Sequence, residues 1–98
     1  MKKLLFIFIV IVGIAACKTT TQIYAPSEAN VNKVEKASLE ELNKGRDIYA
    51  SKCGKCHKLY AVESRDARQW KEVLGVMAPK AKLSDTETDL VYRYLLNR

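Results

Sequence analysis

The chain has 98 residues and a formal net charge of +6, from 17 basic and 11 acidic side chains. A chain of this length has room for one compact domain. Lys2 and Lys3 belong to an N-terminal export signal, and without them 15 basic residues face 11 acidic ones, a net charge near +4. This moderate charge, with no dense Lys/Arg patch among stacking aromatics, argues against a nucleic-acid partner.

The N-terminus has the pattern of a secretory signal. Lys2 and Lys3 precede 13 apolar residues at positions 4–16, a run that is short for a membrane span. The end of this run, Ile14-Ala15-Ala16-Cys17, resembles the lipobox of bacterial lipoproteins. The resemblance implies cleavage after residue 16, a lipid anchor on the Cys17 sulfur and a location on the periplasmic side of a bacterial membrane.

Two details of this signal stay open. Lys18 stands where an aspartate would favour inner-membrane retention in some bacteria, so the outer membrane is favoured. An ordinary signal peptide with a chance cysteine, or an uncleaved anchor, is the alternative to lipidation. Each of these alternatives still exports the domain.

Residues 17–37 are interpreted as the lipidated N-terminus and a flexible tether. The stretch from 18 to 37 is rich in Thr, Ser and Asn, contains Pro26 and has little helical or strand periodicity. A coil of these 20 residues spans about 25 Å on average and roughly 65 Å when fully extended. The alternative is that part of it, around residues 31–34, packs on the domain as an N-terminal extension.

The domain itself is predicted to begin with a helix over residues 38–52. Ser38 and Glu41 form a capping-box pattern at its N-terminus. Gly45 is costly inside a helix, so it indicates close approach by another backbone. The helix leads directly into Cys53.

The stretch Cys53-Gly54-Lys55-Cys56-His57 matches the attachment motif of a c-type haem. Cysteines at i and i+3 lie on one face of a helical turn, so both thiols reach one edge of a planar macrocycle. His57 follows directly and offers an imidazole nitrogen as the proximal iron ligand. The motif therefore predicts one covalently bound haem c.

Three other interpretations of the motif compete with haem attachment. Structural zinc needs four protein ligands, and outside the motif the chain has only Cys17 and no further histidine. A thioredoxin-like redox pair belongs beside a βαβ pattern, which this region lacks. A plain disulfide would leave His57 unexplained.

Two further helices are predicted after the motif. Residues 58–62 are expected to be irregular. Ser64 is expected to cap a helix over residues 65–74 that Gly75 ends, and Trp70 lies on the apolar side of this helix. Residues 76–79 are then a loop that contains Met77.

The last helix is marked by a second capping box, Ser84-Asp85-Thr86-Glu87. Leu90, Val91, Tyr94 and Leu95 form its apolar stripe. We expect Tyr94 and Leu95 to meet the first helix at Gly45 and Tyr49.

Residues 38–98 resemble small class I cytochromes c. The matching features are Gly45 and Tyr49 ahead of Cys53-x-x-Cys56-His57, then Met77-x-Pro79, Leu83-Ser84-Asp85 and a terminal helix with Val91-Tyr92-Arg93-Tyr94-Leu95. The resemblance implies an all-α fold in which the N- and C-terminal helices cross around a covalently bound haem. About 60 residues bury only a marginal core, and a covalent macrocycle supplies further apolar surface.

The sequence departs from that pattern in two respects. Many class I cytochromes have a proline soon after the haem histidine, whose carbonyl accepts the imidazole N–H, and residues 58–62 contain none. The partner of the haem histidine is therefore unidentified. The spacing of 20 residues between His57 and Met77 is also short, which implies a trimmed middle of the fold.

Met77 is the expected sixth iron ligand. His57 is the only histidine, and Met77 is the only methionine apart from Met1. Its position ahead of the last helix is where the family places the axial methionine. A core-filling methionine is the alternative, which would leave Lys80, Lys82, water or an empty position at the iron.

The functional expectation is a membrane-tethered electron carrier that is not itself an enzyme, because no peroxidase-type acid–base pair is evident. Its partners would be redox proteins, acidic ones if Lys52, Lys55, Lys58, Lys80 and Lys82 form a positive rim. A haem-based sensor or ligand-binding module, and an accessory haem subunit of a larger oxidoreductase, are the alternatives.

Overall fold

A computed structural model describes residues 22–54 and 58–98 of the chain. Three α-helices form the body of the domain: α1 (Leu39–Ile48), α2 (Ala67–Lys80) and α3 (Asp85–Leu96). A π-helical turn (Tyr49–Cys53) continues α1, and two short 3₁₀ turns occupy Glu28–Asn30 and Val62–Ser64. These residues contain no strand, so the prediction of an all-α domain is confirmed for the described part of the chain.

The predicted caps of the first and last helices are confirmed. The Ser38 hydroxyl accepts a hydrogen bond from the Glu41 N–H at 3.2 Å. At α3, the Ser84 hydroxyl accepts from the Glu87 N–H, and the Glu87 carboxylate accepts from the Ser84 N–H, each at 3.1 Å. Both caps satisfy backbone donors that have no partner within the helix.

The middle helix differs from its predicted bounds. Its N-cap is Asp66, which forms a reciprocal capping box with Gln69, while the Ser64 hydroxyl donates to the Ala61 carbonyl instead. The predicted stop at Gly75 is wrong, because α2 continues to Lys80. Glycine costs only about 1 kcal/mol in a helix interior, and burial of Leu74 and Ala78 on either side of it offsets that cost.

A Schellman motif ends α2. The Leu83 N–H donates to the Ala78 carbonyl at 2.9 Å, and the Lys82 N–H donates to the Pro79 carbonyl at 3.1 Å. Lys82 takes the left-handed conformation, with φ of 58°, that glycine usually provides at this position. Pro79 lies in the last turn of the helix. The helix therefore ends at Lys80, one residue beyond the proline, and the left-handed Lys82 turns the chain away from it.

α1 and α3 pack closely at Gly45, as predicted. A Cβ atom built on Gly45 would overlap the Leu90 carbonyl oxygen and lie 2.8 Å from the Tyr94 Cβ. Tyr49, one turn further along, lies with its ring centroid 6.2 Å from that of Tyr94. The expected meeting of the first and last helices at Gly45 and Tyr49 is therefore confirmed.

The core lies where the three helices converge. Tyr49 packs edge-on against Trp70, with ring centroids 6.0 Å apart and planes at 89°. Each fully buried large apolar side chain contributes about 1.5–3 kcal/mol of transfer free energy. The largest fully buried side chains are Trp70, Tyr94, Leu42, Leu95, Val62, Val91 and Asn97.

Residues 22–37 pack against α1 and α3 rather than extending as a free coil. The Tyr24 ring stacks on Tyr94 with centroids 4.4 Å apart, and the side chain of buried Asn97 accepts hydrogen bonds from the N–H groups of Val34 and Glu35. The structure thus shows the N-terminal extension that the sequence left as an alternative to a tether. Residues 17–21 of the expected tether lie outside the described residues.

Substituting the two helical glycines tests the packing at the α1–α3 contact. Gly45→Ala should lower the free energy of unfolding by about 1–3 kcal/mol, because the added methyl group meets backbone atoms of α3. Gly75→Ala is the matched control, since a Cβ there meets nothing within 4 Å, and it should raise stability by about 0.5–1 kcal/mol. Denaturant unfolding of both variants measures the difference. Equal effects at the two positions would contradict the close contact.

Candidate functional site

Cys53 occupies the last position of the π-helical turn that extends α1. π-Helical turns are rare and frequently occur at functional sites. The Cys53 side chain is half-buried, and burial raises the pKa of its thiol.

Cys53 lines a small apolar cavity between α1, α2 and the segment that follows the motif. The cavity has a volume of about 20 Å³, room for about one water molecule. Its lining consists of apolar and aromatic side chains together with two sulfur atoms. The residues are Tyr49, Cys53, Leu59, Tyr60, Trp70, Val73, Leu74 and Met77.

The cavity brings together two of the residues predicted to form the site. Cys53 and Met77 are 24 positions apart in the sequence, and both line it. Lys80 and Lys82, the alternative iron ligands, are exposed and are not part of the described lining. Cys56, His57 and the predicted lipidation site Cys17 lie outside the described residues.

Met77 reaches the cavity from a helix, whereas the sequence predicted a loop. It lies near the C-terminal end of α2 and is half-buried. Trp70, Val73, Leu74 and Met77 follow the spacing i, i+3, i+4, i+7, which places them on one helix face. The loop prediction was wrong because it rested on Gly75 as the end of the helix, and α2 continues through that glycine to Lys80.

Two buried side chains hold the segment after the motif. The Tyr49 hydroxyl donates to the Tyr60 carbonyl at 2.5 Å, and the Trp70 indole N–H donates to the Val62 carbonyl at 3.0 Å. Burial raises the pKa of Tyr49, so its hydroxyl remains a donor at neutral pH. The sequence identified Tyr49 and Trp70 as packing residues, but no local pattern indicated that they bind this backbone.

Arg65 adds a contact that the sequence did not indicate. Its guanidinium carbon lies 3.9 Å from the centroid of the Tyr60 ring and 5.4 Å from that of Trp70. The Arg98 guanidinium donates to the carbonyls of Val62 and Arg65 at 2.5 and 2.9 Å. Cation–π contacts and backbone hydrogen bonds therefore fix one side of the cavity.

Lys52, the residue before Cys53, is paired rather than available to a partner. Its ammonium group lies 2.8 Å from the Glu87 carboxylate at the N-terminus of α3. The hydrogen bond from Lys52, with that from the Ser84 backbone, lowers the pKa of Glu87. Of the predicted positive rim, Lys58, Lys80 and Lys82 are exposed, and Lys55 lies outside the described residues.

The residues of the cavity fit a c-type haem in their chemistry. Cys53 and Met77 line one apolar, aromatic space, and they are two of the four residues that would hold a haem c and ligate its iron. The cavity volume is far smaller than a macrocycle, so the lining would have to separate to admit one.

The described residues contain neither a cluster of metal-binding side chains nor a membrane-spanning helix. In residues 22–54 and 58–98, no group of three or more His, Cys, Asp or Glu side chains is placed to hold a metal ion. In the same residues no helix is long and apolar enough to cross a membrane.

No protein-family model, curated protein or solved structure matches this chain. Its own residues and their arrangement are therefore the basis for the function proposed below.

Proposed function

We propose that this protein is an exported, lipid-anchored c-type cytochrome with one haem, which carries single electrons between redox partners. The observation that supports this proposal is the convergence of Cys53 and Met77 on one apolar cavity. Cys53 is the first residue of a haem-attachment motif, and Met77 is the one methionine outside the signal. Neither a zinc site nor a dithiol pair accounts for the presence of both sulfur atoms at one cavity.

Each site residue has a separate role in this proposal. Cys53 and Cys56 would hold haem c through thioether bonds, and His57 and Met77 would ligate its iron. Haem c supplies a one-electron Fe(III)/Fe(II) couple when it is bound. The thioether of Met77 favours Fe(II), and the apolar side chains of Trp70 and Leu74 keep the surroundings at low dielectric. Both features raise the reduction potential.

The fold proposed for the holoprotein is that of a cytochrome c. The packing of α1 against α3 at Gly45 and Tyr94 is the contact that the resemblance implies for the first and last helices. α2 supplies Trp70 and Met77 to the cavity beside them. The extended α2 departs from the loop expected around Met77.

A redox partner would meet the side of the domain that carries the exposed lysines. Lys80 and Lys82 follow Met77 at the end of α2 and are exposed, so an acidic partner surface would approach the Met77 side of the cavity. The anchor at Cys17 would keep the domain on the periplasmic side of a bacterial membrane.

A haem-based sensor is the second candidate, and one observation favours it. Met77 belongs to a regular helix and lines one apolar cavity with Trp70 and Leu74, as a purely core-filling methionine could. If Met77 stays off the iron, the sixth position is open to small ligands.

An accessory haem subunit of a larger oxidoreductase would share the site and differ in having a fixed partner chain.

Covalent attachment is the test of the haem site. Acid–acetone extraction should leave haem on the polypeptide of the wild type, because two thioether bonds hold it. The double variant Cys53→Ser/Cys56→Ser should carry none, while Cys17→Ser, the matched control, should keep it. Absorption and mass spectra of the extracted protein measure the result. Freely extractable haem, or bound zinc in its place, would overturn the proposal.

Ligation by Met77 separates a carrier from a sensor. The wild type should be low-spin, show the weak near-infrared band of thioether-to-Fe(III) charge transfer and bind carbon monoxide slowly or not at all. Met77→Ala should bind carbon monoxide rapidly and have a lower potential, because the ligand that favours Fe(II) is lost. Val73→Ala also enlarges the cavity but keeps the sulfur, and it should resemble the wild type. Equally rapid binding by all three proteins would favour the sensor.

The lipid anchor can be tested at the mature N-terminus. We expect the exported protein to begin at a diacylglyceryl-modified Cys17 and to partition into detergent, because acyl chains bury apolar surface in the micelle. Cys17→Ser should lose the modification. Mass spectrometry of the N-terminal peptide measures both outcomes. An unmodified Cys17 on an exported protein would reject lipidation, and an intact Met1 would indicate an uncleaved anchor.

A further inference from the structure

Two aromatic rings attach residues 22–37 to the helices. Tyr24 stacks on Tyr94 with planes at 13°, and the two residues exchange hydrogen bonds between hydroxyl and carbonyl. The Arg46 side chain donates a further hydrogen bond to the Tyr24 carbonyl at 3.2 Å. Position 24 is thus held by both α1 and α3.

A second attachment lies at the C-terminal end of α3. Asn97 is fully buried, and its side-chain oxygen accepts from the N–H groups of Val34 and Glu35 at 2.7 and 3.1 Å. Its amide nitrogen donates to the Arg93 carbonyl, and its carbonyl accepts from Asn30. Undocking would break the three hydrogen bonds that join Asn97 to Asn30, Val34 and Glu35, and it would expose the buried side chain to water. Asn97 therefore holds this part of the segment against the end of α3.

These contacts shorten the reach of the anchor. If residues 18–37 were free, the domain could move roughly 65 Å from the membrane. The first residue of the segment that packs against the core is Ile23, so only six residue steps separate it from Cys17, or about 20 Å at full extension. The chain between the anchor and the folded body is then too short for a swinging motion.

We propose that the docked segment, residues 22–37, is a short, rigid connection that holds the domain against the bilayer surface. This inference rests on the lipid anchor at Cys17 that the proposed function includes. It also specifies the partner. Electrons would be exchanged with a membrane-bound electron-transfer protein whose own redox centre lies near the bilayer surface.

The distance to the membrane can be measured on lipidated holoprotein bound to vesicles. The nitroxide label is attached to the cysteine of the R68C variant. Arg68 lies on α2, and its side chain is 85% exposed. The vesicles contain a gadolinium-chelating lipid, which speeds nitroxide relaxation only at short distance. We expect strong relaxation enhancement for the otherwise unchanged chain. Most of the enhancement should be lost when about 15 Gly/Ser residues, a flexible spacer, are inserted between Thr21 and Gln22.

Asn97→Ala tests whether the docking of residues 22–37 is what keeps the domain close to the membrane. The amides of Val34 and Glu35 should exchange with solvent about tenfold faster or more, because both lose their acceptor, and the relaxation enhancement should fall. Asn43→Ala, an exposed position on α1, is the control and should change neither. The insertion variant leaves the docked residues unchanged, so it remains informative if Asn97→Ala fails to fold.

Three results would overturn the proposal that the docked segment holds the domain against the membrane. One is that the relaxation enhancement of the nitroxide is as weak in the parent protein as in the insertion variant. Another is unchanged enhancement in Asn97→Ala despite faster amide exchange. The third is failure of the parent protein to bind vesicles, which rejects the anchor itself and is distinct from binding without proximity.

Discussion

The contact between α1 and α3 at Gly45 is the constraint on which the rest of the structure depends. Backbone atoms of Leu90 occupy the space where a side chain at position 45 would lie. This approach places Tyr49 beside Tyr94, and Tyr49 in turn positions Trp70 and the Tyr60 carbonyl. The π-helical turn begins at the packed Tyr49 and ends at Cys53, so the location of Cys53 follows from the contact between the helices. A small residue four positions before the aromatic one is the sequence feature behind this arrangement.

The sequence was informative wherever a local chemical pattern determines the outcome. Ser38 and Ser84 cap helices because a hydroxyl followed three residues later by glutamate satisfies free N–H groups. Gly45 was identified as a helix contact because glycine is costly inside a helix unless a neighbour needs the space. The caps depend on contacts between residues three positions apart, and the inference at Gly45 depends on its missing side chain. The all-α fold of the described residues follows from the same kind of pattern.

Other features were beyond the sequence because they depend on distant partners. Gly75 indicated an early end of α2, but the burial of Leu74 and Ala78 stabilises the helix beyond it. The packing of residues 22–37 depends on Asn97, more than 60 positions away, and on the Tyr24–Tyr94 pair. Polar composition alone suggested a coil there. For the candidate site, spacing identified Cys53 and elimination identified Met77, whereas the surrounding contacts of Tyr49, Trp70 and Arg65 needed the structure.

A row of aromatic rings connects the docked N-terminal segment with the cavity. Tyr24 stacks on Tyr94, Tyr94 lies beside Tyr49, and Tyr49 meets Trp70, with successive centroid distances of 4.4, 6.2 and 6.0 Å. Aromatic rings in contact have few rotamers and resist compression, so this row sets the separation between residue 24 and the lining of the cavity. The N-terminal segment is attached at one end of the row, and Cys53 and Met77 lie at the other. The same packing that stabilises the core therefore also fixes how far the proposed redox site lies from Tyr24, the residue of the N-terminal segment that stacks on Tyr94.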